Sequence, residues 1–435
     1  MTILRQSDLG PDSLLYFVHI PKTAGTSVRK FLDQHFLTRT VFPAEVGESK
    51  YSGLSDVQLV SDLRERPPRK WRLIRGHFDY DTIDRLALLA GTMERVTILR
   101  DPVTQLFSEY QMALHDPAYP LHNKVKREAP SFEQFLDGED YPWIKNGNRQ
   151  SGHLMIQSTG EELWPSPDRW RKALQSELLD YACVGVFESL RETLELVAYI
   201  FGWEYPDRIP HLNKSRGSGT QGLVKESTRN AICERNCCDC SLYEWACERF
   251  AVAYGEMLAD LGLSENRIEC DRALLRERLN ERAKHRRAQR LKMFAATDYY
   301  EVISIDGTLL RFLDRARGCQ VEWIGPEPAA RVRLAFAEPC DRVLRIELQY
   351  WLTDEMLAQC AVTVNGHRIP LAKWRDETRV VFLGHVPEAA LAAAPHDSLI
   401  EMTTCGVDTP ARLGLNPRDT ETKCVAVSDF QMLRV

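Results

Sequence analysis

Residues 14–27, LLYFVHIPKTAGTS, decide the reading of this chain. The apolar run Leu14, Leu15, Tyr16, Phe17 and Val18 leads straight into a turn that holds Lys22, Gly25, Thr26 and Ser27. The segment that follows, VRKFLDQHF, reads as a helix. Strand, tight loop and helix in that order present backbone N–H groups and a helix N-terminus to a phosphate. Gly25 lets the backbone approach an anion closely, Thr26 and Ser27 add hydroxyl donors, and Lys22 adds a full positive charge. The competing reading is a plain strand–turn–helix with an incidental lysine.

The loop departs from the motif that binds Mg-triphosphates, G-x-x-x-x-G-K-[ST]. Ile20 stands at the first glycine position, Thr26 stands where the lysine belongs, and the lysine has moved upstream to Lys22. A different phosphate ligand is implied. HIPKTAGTS resembles the 5′-phosphosulfate loop of sulfotransferases that use 3′-phosphoadenosine 5′-phosphosulfate (PAPS). Within that family it is similar to the carbohydrate group, which includes the heparan sulfate 2-O-sulfotransferases and bacterial relatives. The resemblance implies that Lys22, Thr23, Ala24, Gly25, Thr26 and Ser27 line the 5′ end of the nucleotide.

A second element, RVTILRDPVTQLFSEY at 95–110, resembles the family's 3′-phosphate motif, and implies that Arg100 and Ser108 hold that phosphate. The residues suit the part. Val96, Ile98 and Leu99 read as a buried strand, Asp101 as an N-cap and Pro102 as the first helical residue. Arg100 can grip a phosphate bidentately, and Ser108 falls about two turns along the helix. Gln105 occupies a position where the family usually has arginine, so one charged contact is expected to be missing. The third element is RLIRGHFDY at 72–80, whose histidine, His77, is the catalytic base in the resemblance. Histidine has the right ordinary pKa for that task. Taken alone, His77 reads first as a cap on the strand end formed by Trp71, Leu73 and Ile74; its place between the two nucleotide motifs favours catalysis.

Weaker matches follow in the family's order and extend the resemblance over roughly the first 260 residues. Asn148-Arg149-Gln150, followed by Leu154, resembles an N-x-Q segment. CVGVFESL at 183–190 is similar to a V-G-x-x-E strand-to-helix turn. HLNKSR at 211–216, with Lys214 and Ser215, resembles a loop that closes over the nucleotide. Residues 239–250, with Leu242, Tyr243 and Phe250, resemble the domain's last helix.

The bulk numbers agree with a globular enzyme. The chain has 435 residues, 44% hydrophobic and 27% charged, enough for more than one domain. A net charge of −6 and a pI near 6.1 argue against nucleic acid as the main partner. No apolar run reaches the length of a transmembrane helix, and the first residues, MTILRQSDLGPDS, lack an apolar signal core. A cytoplasmic, bacterial enzyme is expected. Of the twelve cysteines, Cys233, Cys237, Cys238, Cys240 and Cys247 cluster. A zinc site is one reading of the cluster, but no histidine follows nearby, and helical spacing within one buried face is the preferred reading. No metal is expected.

Apolar runs at 15–18, 73–74, 96–99 and 183–187 alternate with helical stretches and predict a parallel α/β sheet covered on both faces. Residues 115–131, with Pro117, Pro120, Pro130, Lys124, Lys126 and Arg127, read as a long loop, either solvated or an acceptor-binding lid that attracts an anionic glycan. The arginine-rich stretch 271–294 reads as a helix bridging two domains, with attachment to an anionic membrane surface as the second reading. From residue 297 the pattern turns to period-two strands at 343–350, 379–383, 399–403 and 424–433, with an Asn365-Gly366 hairpin signal within 362–371. The elements WIGPEP, VNGHRI and the closing GLNPRDTETKCVAVSDFQML are similar to accessory β-domains on bacterial glycan-modifying enzymes, which implies carbohydrate contact, assembly or packing support.

The expected architecture is therefore a P-loop-like α/β domain with a parallel sheet over 1–265, a basic linker helix over 266–296, and a C-terminal all-β sandwich over 297–435. The expected activity is PAPS-dependent transfer of a sulfuryl group to a hydroxyl of a carbohydrate or glycolipid. The rival readings are a P-loop phosphotransferase and a glycan-binding protein with a relict nucleotide fold.

Overall fold

The computed structural model describes residues 4–42, 71–76, 92–117, 119, 121–128, 130–138, 147–154, 167–207, 224–264, 272–295, 297, 299–309, 312–314 and 319–435. Among these, five strands form a parallel sheet: β1 (Ser13–Val18), β2 (Val41–Phe42), β3 (Leu73–Gly76), β4 (Thr92–Leu99) and β5 (Cys183–Val186), in the order β2-β3-β1-β4-β5. β1 is central and pairs with both β3 and β4. Its alternate side chains feed two separate cores. Leu15 and Phe17 pack with Val28, Phe31 and Leu32 of helix α1 (Gly25–Asp33) on one face. Leu14, Tyr16 and Val18 pack on the other with Leu174, Leu178, Leu242 and Ala246. Both faces are covered, which is why the strand reads as a continuous apolar run rather than an alternating one.

The remaining helices of this part are α2 (Pro102–His115), α3 (His122–Glu128), α4 (Phe132–Asp137), α5 (Arg149–Leu154), α6 (Pro167–Leu178), α7 (Leu190–Phe201), α8 (Glu226–Arg235) and α9 (Cys237–Asp260). One expectation is corrected here. The stretch 115–131 is not a continuous loop: α3 occupies its middle, anchored by buried Val125 and by buried His122, whose Nδ1 lies 3.1 Å from the carbonyl of Ala113. Lys126 and Arg127 remain on the exposed side. The cysteines also depart from a single buried face. Cys237, Cys238, Cys240 and Cys247 do lie on α9, but only Cys238 of the five is buried and Cys237 is exposed.

The C-terminal part consists of two antiparallel sheets. One contains β7 (Phe312–Asp314), β8 (Cys319–Trp323), β10 (Arg342–Trp351), β13 (Ala372–Arg375), β14 (Val380–Val386) and β16 (Val425–Arg434). The other contains β6 (Tyr300–Asp306), β9 (Ala329–Phe336), β11 (Ala361–Val364), β12 (His367–Ile369) and β15 (Ser398–Thr403). Ile346, Leu348, Phe382 and Met432 of the first sheet share a core with Leu334, Phe336, Val364 and Ile400 of the second, which makes the pair a sandwich. The Asn365-Gly366 turn joins β11 to β12 with φ of 48° and 80°, the left-handed pair that the dipeptide signals.

The arginine-rich helix, α10 (Arg272–Met293), explains how the two parts are held. Leu275 and Leu279 enter the core of the parallel sheet. Arg286, Arg287 and Arg290 are buried rather than solvated. Arg286 donates to the carbonyls of Tyr199, Ile200 and Ser7 and to Asp8. Arg287 pairs with Glu204, which also accepts from Arg333 of β9. Arg290 pairs with Glu301 of β6 and with Asp8. These arginines are internal clamps and do not belong to an outer basic face. The short segment after α1 completes the junction. Leu37 inserts into the sandwich core, Thr38 donates to Glu322 at 2.8 Å, and Lys30 Nζ donates to the carbonyl of Thr308 at 2.6 Å. Among the described residues, no helix is long and apolar enough to cross a membrane.

His35 sits in this junction, stacked on Trp203 at 4.3 Å, with Nδ1 3.0 Å from the carbonyl of Ile303. A carbonyl only accepts, so Nδ1 carries the proton. Burial lowers its pKa to about 4, against the opposing pull of that carbonyl and of Glu204. The unfolded chain takes up a proton near pH 6.5, and the folded chain does not until about pH 4. This contribution to stability is complete above pH 6.5 and is lost as pH falls toward 4, to a total of roughly 3 kcal/mol. Denaturation midpoints measured across that window should fall for the wild type and fall less for His35→Phe.

Candidate functional site

The C-terminal ends of β1 and β4 lie side by side, with Val18 in register with Thr97 and the Thr97 hydroxyl donating to the carbonyl of Val18 at 2.9 Å. The loops leaving these two ends, residues 19–24 and 100–101, therefore emerge together, where parallel sheets bind ligands. In the first loop, Lys22 and Ala24 take left-handed φ of 67° and 65°, uncommon for residues with a Cβ. Ala24 thereby ends the loop and starts α1 without a side-chain cap, and no acidic residue occupies the first turn. The helix N-terminus is left favourable to an anion. Gly25 is demanded by packing as well. A Cβ there would fall 1.5 Å from Nε2 of His19, a buried ring stacked on Phe17.

Several bonds fix the loop. The Thr23 hydroxyl donates to the carbonyl of Ile20 at 2.8 Å. The amide of Gln105 donates to the carbonyl of Pro21 at 2.8 Å, and Arg100 Nη1 donates to the carbonyl of Lys22 at 2.9 Å. Gln105 thus has a definite task here. It is buried and ties the second motif's helix to the first motif's backbone, in the place where the resemblance leads one to expect a charge.

The second motif has the expected start. The Asp101 carboxylate accepts from Thr104 N at 2.8 Å, and Pro102 opens α2. Thr104, Ser108 and Met112 are spaced four apart and share one helix face. Arg100 Nε donates to Thr104 Oγ1 at 3.1 Å, and Lys22 Nζ reaches Met112 Sδ at 3.2 Å. Ser108, half-buried, lies between these two contacts on the stripe that faces the first loop. Arg100 stacks over the ring of Phe187 at 3.9 Å, and burial lowers its pKa to about 10, against the pull of Glu188 and Asp101. It stays charged at neutral pH in a poorly solvated place, where a charge attracts an anion strongly.

The weaker sequence matches turn out to support Arg100. Gln150 accepts from Arg100 N at 2.9 Å and donates to Arg100 O at 2.7 Å, so its amide clamps the backbone of that residue. Asp239, buried at the start of α9, accepts from the N–H groups of Gln150 and Ser151 and caps α5. Asn148 returns the favour by accepting from the N–H groups of Cys238 and Asp239. The V-G-x-x-E turn supplies Phe187 beneath the guanidinium. It also supplies Glu188, which accepts from Asp101 N and from the Tyr243 hydroxyl. The sequence order hints at these segments, but the clamp on Arg100 depends on contacts across 50 residues or more and leaves no local signal.

Lys22, Thr23, Ala24, Gly25, Thr26, Ser27, Arg100 and Ser108 are thus brought to one place. His77, Lys214 and Ser215 lie outside the described residues. Gly76, the residue before His77, ends β3 beside Val18, and its carbonyl accepts from His19 N at 3.0 Å. Arg75, just before it, is fully buried and forms a two-point ion pair with Asp33 of α1 at 2.7 and 2.8 Å.

No family model matches the chain, and no curated protein matches it. Among solved structures, it is similar to a sulfotransferase from Alicyclobacillus acidocaldarius, at 15% identity and a TM-score of 0.31, over 53% of this chain and 94% of that one. It is also similar to mouse sulfotransferase SULT7A1 complexed with PAP, at 15% identity and a TM-score of 0.24, over 52% of this chain and 84% of that one.

Proposed function

We propose that the chain is a sulfotransferase that takes PAPS as donor and a hydroxyl of a carbohydrate or glycoconjugate as acceptor, working in the cytoplasm without a metal. The observation that carries this reading is the joining of the two motif loops at adjacent strand ends through Arg100 and the carbonyl of Lys22. Two separate phosphate positions on one ligand suit a 3′,5′-bisphosphate nucleotide. The donor set fits it: a helix N-terminus with two hydroxyls and a lysine at one end, and at the other a desolvated guanidinium bonded to Thr104, one turn before Ser108 on the same helix face. The nucleotide, when bound, supplies the sulfuryl group. In this reading Thr26, Ser27 and the N–H groups at the start of α1 hold the 5′-phosphate, and Arg100 and Ser108 hold the 3′-phosphate. Lys22 steadies the negative charge of the departing bisphosphate, and His77 takes the proton of the acceptor hydroxyl. Lys214 and Ser215 cover the nucleotide.

Arg100→Ala tests the assignment of the second loop. The wild type should bind adenosine 3′,5′-bisphosphate more tightly than 5′-AMP in a calorimetric titration. The variant should lose that preference, at a cost of about 1.5–3 kcal/mol for a charged hydrogen bond. Because Arg100 also holds the first loop, affinity for 5′-AMP should fall somewhat too. Equal affinity of the wild type for both nucleotides would sink the two-phosphate reading.

A further inference from the structure

The Lys22 ammonium and the Met112 thioether meet at the candidate site, with Nζ 3.2 Å from Sδ. The contact is fixed from both sides. Lys22 has a left-handed φ of 67°, and Arg100 Nη1 holds its carbonyl at 2.9 Å. Gln105 ties α2 to the carbonyl of Pro21 at 2.8 Å, and Met112 stands two turns further along that helix, roughly 10 Å. Loop and helix are thus fastened to each other at Gln105, and again at Arg100, just before the helix begins. A chemical change at the thioether reaches the ammonium, because both backbones are held.

We propose that Met112 is a site of reversible oxidation by hydroperoxides, and that its sulfoxide holds the Lys22 ammonium back from an anion bound in the first loop. The inference rests on the sulfotransferase reading, in which that anion is the 5′-phosphate. With hydrogen peroxide the step balances as follows. The thioether sulfur attacks one peroxide oxygen, the O–O bond breaks and an S–O bond forms. Sulfur gives up two electrons. The proton of the transferred oxygen passes to the departing hydroxide, which leaves as water. Methionine sulfoxide reductases restore the thioether. A thioether is a weak acceptor, whereas the sulfoxide oxygen is strongly polarised and accepts a charge-assisted hydrogen bond from an ammonium. The unbranched side chain of Met112 can turn that oxygen toward Nζ. Lys22 then has to give up a strong hydrogen bond before it can serve a ligand.

Thioether oxidation needs no loss of a proton, so access to the oxidant decides which methionine reacts. Met112 is half-buried. Met257 and Met432 are closed off, at 0% and 1% exposure, while Met293 at the end of α10 is open, at 71%. Met112 should therefore react after Met293 and before the two buried residues, which gives the chain its own internal standards.

The test treats the full chain with hydrogen peroxide and then with dithiothreitol, which returns disulfides and sulfenic acids to thiols. Peptide mass mapping should find one added oxygen on Met112 while Met257 and Met432 are still intact. Acetic anhydride labelling of Lys22, followed in the same maps without nucleotide, should slow about tenfold, the worth of one hydrogen bond to a charged group. In calorimetric titrations, affinities for adenosine 3′,5′-bisphosphate and for 5′-AMP should fall by a common factor, since both ligands carry the 5′-phosphate and Arg100 is untouched. Met112→Leu, a volume-conserving change, should resist both effects. Met112→Gln, whose amide carbonyl puts an oxygen near Lys22, should show both without peroxide. Methionine sulfoxide reductase should restore the treated wild type. Met112 left intact until Met257 and Met432 react, unchanged Lys22 labelling once Met112 is oxidised, or equal peroxide sensitivity in Met112→Leu would each overturn the proposal. Slowed labelling in a protein that binds neither nucleotide before treatment would uphold the hold of the sulfoxide on Lys22 and overturn the 5′-phosphate reading instead.

Discussion

Lys22→Met is expected to lower saturated turnover by about 10²–10³-fold, the range seen when one transition-state stabiliser is removed. Affinity for adenosine 3′,5′-bisphosphate should fall less than the rate does. The structure makes the substitution a clean one. The carbonyl of Lys22 is held by Arg100, and the neighbouring carbonyls of Pro21 and Ile20 are held by Gln105 and Thr23. The backbone is thus fixed by groups other than the lysine side chain. Methionine keeps much of the stem and removes the charge. The ammonium touches Met112 Sδ, a weak acceptor. An attraction that grows as negative charge develops acts on the rate, whereas one present from the start acts on binding alone. Steady-state rates at saturating PAPS, set beside calorimetric affinities, separate the two. Weakened binding with undiminished saturated turnover would make Lys22 a ground-state anchor.

Asp33→Ala should destabilise the fold by about 3–5 kcal/mol, the cost of leaving a buried charge without its partner. Arg75 has no exposed side-chain surface, Asp33 has 2%, and the two meet through two hydrogen bonds. The pair links α1, which carries the first loop, to β3, whose last residue precedes His77. Replacing both residues with leucine should cost much less, because the desolvation of two charges is relieved together. Urea denaturation midpoints of the single and double variants measure the difference. A loss below 1 kcal/mol for Asp33→Ala would mean that water reaches Arg75 in solution.

The part of this site that is local in sequence was legible there. The strand before Lys22, the helix after Gly25, the Asp101 cap and the Pro102 start all follow from rules that act within a few residues, and each stands where the pattern puts it. The sandwich was legible through its period-two strands and the Asn365-Gly366 turn. What could not be read is what long-range packing decides. Gln105 gives no sign in sequence that it will hold Pro21, and Gln150 none that its amide will clamp Arg100. The stretch that forms α10 was legible as a bridging helix, but not that Arg286, Arg287 and Arg290 would be buried against Asp8, Glu204 and Glu301. Helix α3 was hidden by the prolines around it, which suggest a loop while Val125 and His122 anchor a short helix between them.

The central claim is transfer from a bisphosphate nucleotide donor, and transfer can be measured without knowing the acceptor. The chain is incubated with PAPS and a panel of polysaccharides and glycolipids, and then, separately, with ATP and Mg²⁺ and the same panel. Bisphosphate release and modified glycans are followed by mass spectrometry. The account predicts release of adenosine 3′,5′-bisphosphate matched by sulfate esters on at least one glycan, and no phosphorylated product. Phosphorylated glycan formed from ATP and Mg²⁺, with PAPS left intact across the panel, would contradict it.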